Sequence, residues 1–224
     1  MKQKCGAGRG PFEMGQAQGI TAWRVLLLTT LLFGLSWMAW KKDYTAPVRA
    51  AKAVYRDVVF DWRVQEFAEV LRIAAEESGV DPYLLAGIMV SESSGRVDAV
   101  SSAGALGLFQ LAPVTATWRA GKLGLEKPTR EELLSDPLLN ARLGADNMAW
   151  LLDTYNGDVV RALCAYNCGA RKLKRLSDAA GDWETWRAER ERSGDSELIV
   201  YAQKVLRYRD EFREQNLLEP TASD

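Results

Sequence analysis

The sequence predicts a mainly α-helical domain preceded by a single N-terminal transmembrane helix. Apolar residues recur at helical spacing across the region 65–213, and Asp-Pro pairs at Asp81-Pro82 and Asp136-Pro137 stand where helices begin. No alternation of apolar and polar residues runs beyond a few positions, so strands are not expected.

The membrane segment comes first in the chain. Residues 25–40, VLLLTTLLFGLSWMAW, carry no charge. At about 1.5 Å per residue they reach about 24 Å, and Ala22, Trp23 and a snorkelling Arg24 extend them toward the roughly 30 Å of a bilayer core. Trp23, Trp37 and Trp40 near the ends suit the interface. A cleaved signal peptide fits less well, because Trp37 and Trp40 crowd Ala39, the only small-residue cleavage candidate. A buried core helix is the third reading. Basic residues lie on both sides of the segment, Lys2, Lys4, Arg9 and Arg24 before it and Lys41, Lys42, Arg49 and Lys52 after it, so charge bias does not orient it. The organisation expected is a tail over 1–21, the anchor over 22–40, a charged connector over 41–64 that is part helix and part linker, the helical domain over 65–213 and a second tail over 214–224.

Within the domain, Phe67, Val70, Leu71, Ala74 and Ala75 form one apolar stripe on a helix that Ser78-Gly79 stops. Asp81 as N-cap with Pro82 behind it starts the next helix, which carries Leu85, Ile88, Met89 and Glu92 down one face. Asp136-Pro137 opens a long helix to about Tyr155 with Leu139, Leu143, Met148, Leu151 and Leu152 as its buried set, and Asp158 caps another through VVRALCAYN. The last amphipathic helix aligns Tyr201, Val205, Tyr208 and Phe212.

Composition removes whole classes of chemistry. The 224 residues are 47% hydrophobic and 26% charged, enough for one core and an appendage. A net charge of -1 offers no basic face for phosphates, so nucleic acid is not an expected partner. The chain has no histidine, which excludes Ser-His-Asp and Cys-His catalysis, histidine-containing zinc sites and HExxH proteases, and leaves acid-base work to carboxylates, Tyr or Lys. Its three cysteines, Cys5, Cys164 and Cys168, are too few for a disulfide framework. Cys164 and Cys168 read more simply as packing residues than as a redox switch. No metal or organic cofactor is expected.

One carboxylate stands out. Glu92 leaves the end of an apolar helix and is followed by Ser101, Ser102 and the stretch GALGLFQ, a loop whose glycines let backbone approach a ligand and whose Gln110 can hydrogen-bond it. Further on, AYNCG places Tyr166 and Asn167 at a helix end. A half-buried Glu is more often a member of an ion pair, and it is the loop spacing that favours a site.

These stretches, Glu92-Ser93, AVSSAGALGLFQLAP, AYNCG and ELIVYAQKVL, resemble the soluble lytic transglycosylase family, whose domain is built like a goose-type lysozyme. The resemblance runs from about Phe67 to Tyr208, with Arg96-Val97 where many relatives have Asn-Pro and Phe109 where Met is common. It implies a lysozyme-like helical fold and cleavage of peptidoglycan glycan strands by a single acid, Glu92. That acid protonates the leaving oxygen while the N-acetyl group of N-acetylmuramic acid stabilises the cation. It then takes the proton of the sugar's C6 hydroxyl as a 1,6-anhydro ring closes. A hydroxyl held so close competes with water through an effective concentration of up to about 10⁵ M or more. By the same resemblance Tyr166 orients Glu92, Ser101 and Gln110 hold N-acetyl or hydroxyl groups, Asn167 fixes the loop, and Tyr201 is either a substrate contact or core. Trp183 and Trp186 read as cover for the core rather than sugar platforms.

The substrate would place the domain on the periplasmic side of a bacterial inner membrane, with envelope-spanning machinery as a conceivable partner. Two other readings stay open: a muramidase of the same fold in which Asp98 or another carboxylate positions water, and a non-catalytic glycan-binding subunit.

Overall fold

The structure, a computed structural model, describes residues 45–219. The expected anchor over 22–40 lies outside the described residues, as do the tail over 1–21 and the start of the connector. Among the described residues no helix is long and apolar enough to cross a membrane. The chain divides into two units between Asp57 and Val58.

The described residues form ten helices and no strand longer than an isolated bridge. In chain order they are α1 (Thr45–Glu66), α2 (Ala68–Ser78), α3 (Pro82–Ser93), α4 (Pro113–Lys122), α5 (Arg130–Ser135), α6 (Pro137–Thr154), α7 (Val159–Cys168), α8 (Ala170–Ala179), α9 (Trp183–Ser193) and α10 (Glu197–Glu214).

The start and stop chemistry follows the sequence. Asp81, Asp136 and Asp158 each cap a helix, their side chains accepting from Tyr83 N–H, Leu139 N–H and Arg161 N–H. Gly79 ends α2 in the left-handed region and donates to the Ala75 carbonyl at 2.8 Å. The connector contributes more than a tether. Phe60 and Val64 on α1 are buried, and Phe60 meets the Tyr208 ring edge-on at 5.5 Å between centroids.

Helix α3 lies at the centre, packed against α2 and, most extensively, α10. Every residue from 83 to 90 is buried, so α3 is apolar all round rather than on one face. Around it, α2 and α4 pack on α6, and α7 packs between α6 and α10. On α10, Val205, Tyr208 and Phe212 are buried as the stripe predicts, while Tyr201 is only half-buried.

Candidate active site

Helix α3 delivers Glu92 one residue before its end, where Ser94 turns left-handed at φ 56° and donates to the Val90 carbonyl. What lies opposite is set by one close approach. A Cβ on Gly87 would sit 2.6 Å from the Val205 carbonyl oxygen, so α3 and α10 touch backbone to backbone there. Five residues onward along α3 and four back along α10 are about 7.5 Å and 6 Å of helix, which brings Glu92 opposite Tyr201. The Tyr201 hydroxyl donates to Glu92 Oε1 at 2.6 Å. One turn further along α10, Lys204 Nζ donates to the Ser91 carbonyl at 3.3 Å.

Burial pushes the Glu92 carboxyl above its ordinary value, and the Tyr201 hydrogen bond and the Lys204 charge pull partly back. The result is a carboxyl biased toward its protonated form with a donor already in place for the anion. Such a group can give a proton to a bound oxygen and later take one back.

The loop between α3 and α4 is tied to itself. Ser101 Oγ accepts from Ala105 N–H at 2.9 Å, and Gln110 Nε2 donates to the Ala99 and Gly107 carbonyls at 3.0 Å each. Gln110 holds this place at φ 46°, a conformation that a non-glycine residue adopts at a cost and that clusters at functional sites. Asn140 on α6, fully buried, clamps the loop from below. Its Oδ1 accepts from Phe109 N–H at 2.9 Å, and its Nδ2 donates to the Leu106 carbonyl at 3.1 Å and the Leu133 carbonyl at 3.0 Å. Gly107, at φ 78°, lies so close beneath that any Cβ would run into the Asn140 amide and the Leu133 carbonyl.

Of the residues singled out from sequence, Glu92, Tyr166 and Tyr201 come together. The tyrosine bonded to Glu92 is Tyr201, whereas Tyr166 donates to the Phe109 carbonyl at 3.0 Å and so ties α7 to the loop. Tyr166 nevertheless feels the acid, since burial and then the Glu92 charge raise its pKa well above the ordinary value. The reason for the exchange is geometric: α10, not α7, makes the close backbone contact with α3. Ser101 and the Gln110 amide nitrogen are engaged with loop backbone, and Asn167 is exposed at the end of α7. Asp98 is exposed in the loop.

Cys164 is buried, its thiol 3.5 Å from the Leu198 carbonyl, and Cys168 is half-buried; both are free thiols. Trp183 and Trp186 are buried and stacked at 5.3 Å. Among the described residues no cluster of Cys, Asp and Glu gathers to hold a metal ion. Sequence reasoning missed Asn140 and Lys204. An Asn inside the apolar run PLLNARLG was the signal for the first, and Lys204, one turn after Tyr201, gave none on its own.

The transglycosylase SLT domain family model matches residues 69–188. The membrane-bound lytic murein transglycosylase C of Histophilus somni is 33% identical over 122 residues, which is 51% of this chain and 34% of that protein. The chain thus spans about a third of the length of that relative. Among solved structures, the inactive Glu-to-Gln mutant of the lytic transglycosylase Slt from Pseudomonas aeruginosa is 28% identical with a TM-score of 0.57, over 68% of this chain and 25% of that one. The 70-kDa soluble lytic transglycosylase from Escherichia coli shares the fold, with a TM-score of 0.61 at 20% identity over 88% of this chain and 32% of that one.

Proposed function

The chain belongs to the transglycosylase SLT domain family, and from that premise we propose that it is a peptidoglycan lytic transglycosylase that cuts the β-1,4 bond between N-acetylmuramic acid and N-acetylglucosamine. The observation that carries this reading is Glu92: a half-buried carboxyl with a raised pKa, at the mouth of a Gly-rich loop, with the Tyr201 hydroxyl on its Oε1. The related Pseudomonas aeruginosa chain is described as inactive when it carries a Glu-to-Gln substitution, which fits an enzyme that depends on one such acid.

Glu92 protonates the leaving oxygen as positive charge grows on the muramic ring, and the Tyr201 phenol stabilises the carboxylate that remains. The substrate's N-acetyl group meets the cation. Glu92 then takes the C6 hydroxyl proton as that oxygen closes on C1, giving a 1,6-anhydro end. Tyr166 and Asn140 keep the loop at the sugar through the Phe109 and Leu106 backbone. Ser101, Gln110 and Asn167 line the substrate side, with the Gln110 carbonyl and loop backbone facing N-acetyl or hydroxyl groups.

The setting proposed is the bacterial envelope. The uncharged segment over 25–40 anchors the chain in the inner membrane as a single pass, and the domain over 65–213 works on the periplasmic side behind the connector over 41–64. The membrane-bound name of the Histophilus somni relative supports this reading. The anchor also fits local work beside envelope-spanning machinery.

Mass spectrometry of peptidoglycan digested by the full chain, beside Glu92→Gln, tests the activity. Muropeptides lighter than reducing ends by one water, and absent with the variant, are the expected result. Reducing ends would make the enzyme a muramidase.

A further inference from the structure

We propose that Lys204 is a positioning residue for the proposed acid: anchored on the Ser91 carbonyl, its ammonium group favours the Glu92 anion that remains once the proton has been given to the sugar. The inference rests on the reading of Glu92 as that acid, and it adds to that reading a residue on a different helix that sets how strong an acid Glu92 is.

The placement follows from the packing of α10 on α3. Lys204 is three residues from Tyr201 on α10, so the two side chains leave the same face of that helix. That face is held against α3 by the backbone contact at Gly87 and Val205. Lys204 Nζ lies 3.3 Å from the carbonyl of Ser91, the residue just before Glu92, and 6.0 Å from the centre of the Tyr208 ring. The ammonium group thus lies between the Ser91 carbonyl at the terminal turn of α3 and the Tyr208 ring of α10. The site is half-buried, where a charge acts more strongly than it would through open water.

Among the described residues, the groups that face Glu92 comprise few charges. Tyr201 and Lys204 come from α10 and Tyr166 from α7, with Cys164 of α7 behind Tyr201. The tyrosines and the cysteine are neutral near pH 7, their pKa values raised by burial. Lys204 supplies the positive charge. Its direction of effect is the one the first step requires. Burial alone favours the protonated carboxyl but also resists the carboxylate that proton donation produces, so a nearby cation that offsets part of the burial makes Glu92 a better donor. The proton leaves Glu92 for the glycosidic oxygen as the C1–O bond breaks, and a proton returns from the C6 hydroxyl as the new C6 oxygen to C1 bond forms. Lys204 takes part in neither proton transfer.

The test reads Glu92 directly. In the full chain with ¹³C-labelled glutamate carboxyls, the Glu92 signal is assigned by its loss in Glu92→Gln and titrated in wild type, Lys204→Met, Lys204→Gln and Lys204→Arg. The neutral variants are expected to titrate at higher pH than wild type, and Lys204→Arg close to wild type. On peptidoglycan, the alkaline limb of kcat/KM should move upward with the titration in the neutral variants, with a several-fold lower plateau that Lys204→Arg restores. An unmoved Glu92 titration in both neutral variants would overturn the proposal whatever their activity. Loss of the cooperative thermal transition in both neutral variants would also overturn it, by making Lys204 a structural brace. A folded wild-type chain that releases no muropeptides would sink the transglycosylase reading while the titration still decides the placement of Lys204.

Discussion

The Tyr201 hydroxyl donates to Glu92 Oε1 at 2.6 Å, joining two helices through residues 109 apart in sequence. The phenol favours the carboxylate, so Tyr201→Phe removes a stabiliser of the anion and lifts the Glu92 pKa further. A hydrogen bond to a charged group is worth about 1.5–3 kcal/mol, which corresponds to about a ten- to hundredfold loss of rate if it is used in the transition state. The pH profile should show the alkaline limb displaced upward. Tyr166→Phe, which loses only the bond to the Phe109 carbonyl, should cost about 1 kcal/mol of stability in denaturant melts and leave the limb in place.

Glu92→Gln should be inactive yet folded, and its stability should depend on pH in a defined direction. Because the Glu92 pKa is raised in the folded state above its ordinary 4.5, the native protein holds a proton that the unfolded chain has released. Stability from this group therefore falls as pH rises from the ordinary carboxylate range through the folded value. Thermal midpoints of wild type and variant measured at a series of pH values should diverge in favour of Glu92→Gln as pH increases. A difference that stays constant with pH would count against the raised pKa.

The loop depends on a buried amide. Asn140→Leu removes three hydrogen bonds, two to the loop and one to the Leu133 carbonyl of α5, and strands the buried Phe109 N–H while the Leu106 carbonyl keeps Leu111 N–H, at a cost of about 2 kcal/mol or more. Gly107→Ala should be comparably severe, because the added methyl has no space and the backbone is left-handed. Denaturant unfolding midpoints check both, and neither position touches Glu92.

The thiol beside the site should be inert. Burial pushes Cys164 up to about 12, so almost none of it is thiolate at neutral pH. Timed alkylation of the native chain, read by peptide mass spectrometry, should leave Cys164 unmodified until the protein is unfolded. Rapid labelling of the folded protein would contradict its placement beneath α10.

The helix starts were legible because capping is local: Asp81, Asp136 and Asp158 satisfy amide groups two or three residues away, and sequence displays that spacing directly. The missing histidines and the single Glu before a Gly-rich loop likewise narrowed the chemistry before any coordinates. Burial was less visible. The stripe on α3 read as one face, but a helix surrounded on all sides needs its neighbours to be known. The connector read as a charged tether because the partner of its buried Phe60, Tyr208, lies far along the chain.

At the site itself, the sequence determined which residue types were present and that Glu92 leaves a helix end. Only the tertiary structure decided which tyrosine reaches that acid, that Asn140 carries the loop, and that Lys204 lies at the end of α3. Each is a contact between distant segments, fixed where Gly87 lets α3 and α10 meet at van der Waals distance, and a one-dimensional pattern holds periodicity within a helix but not the register of one helix against another.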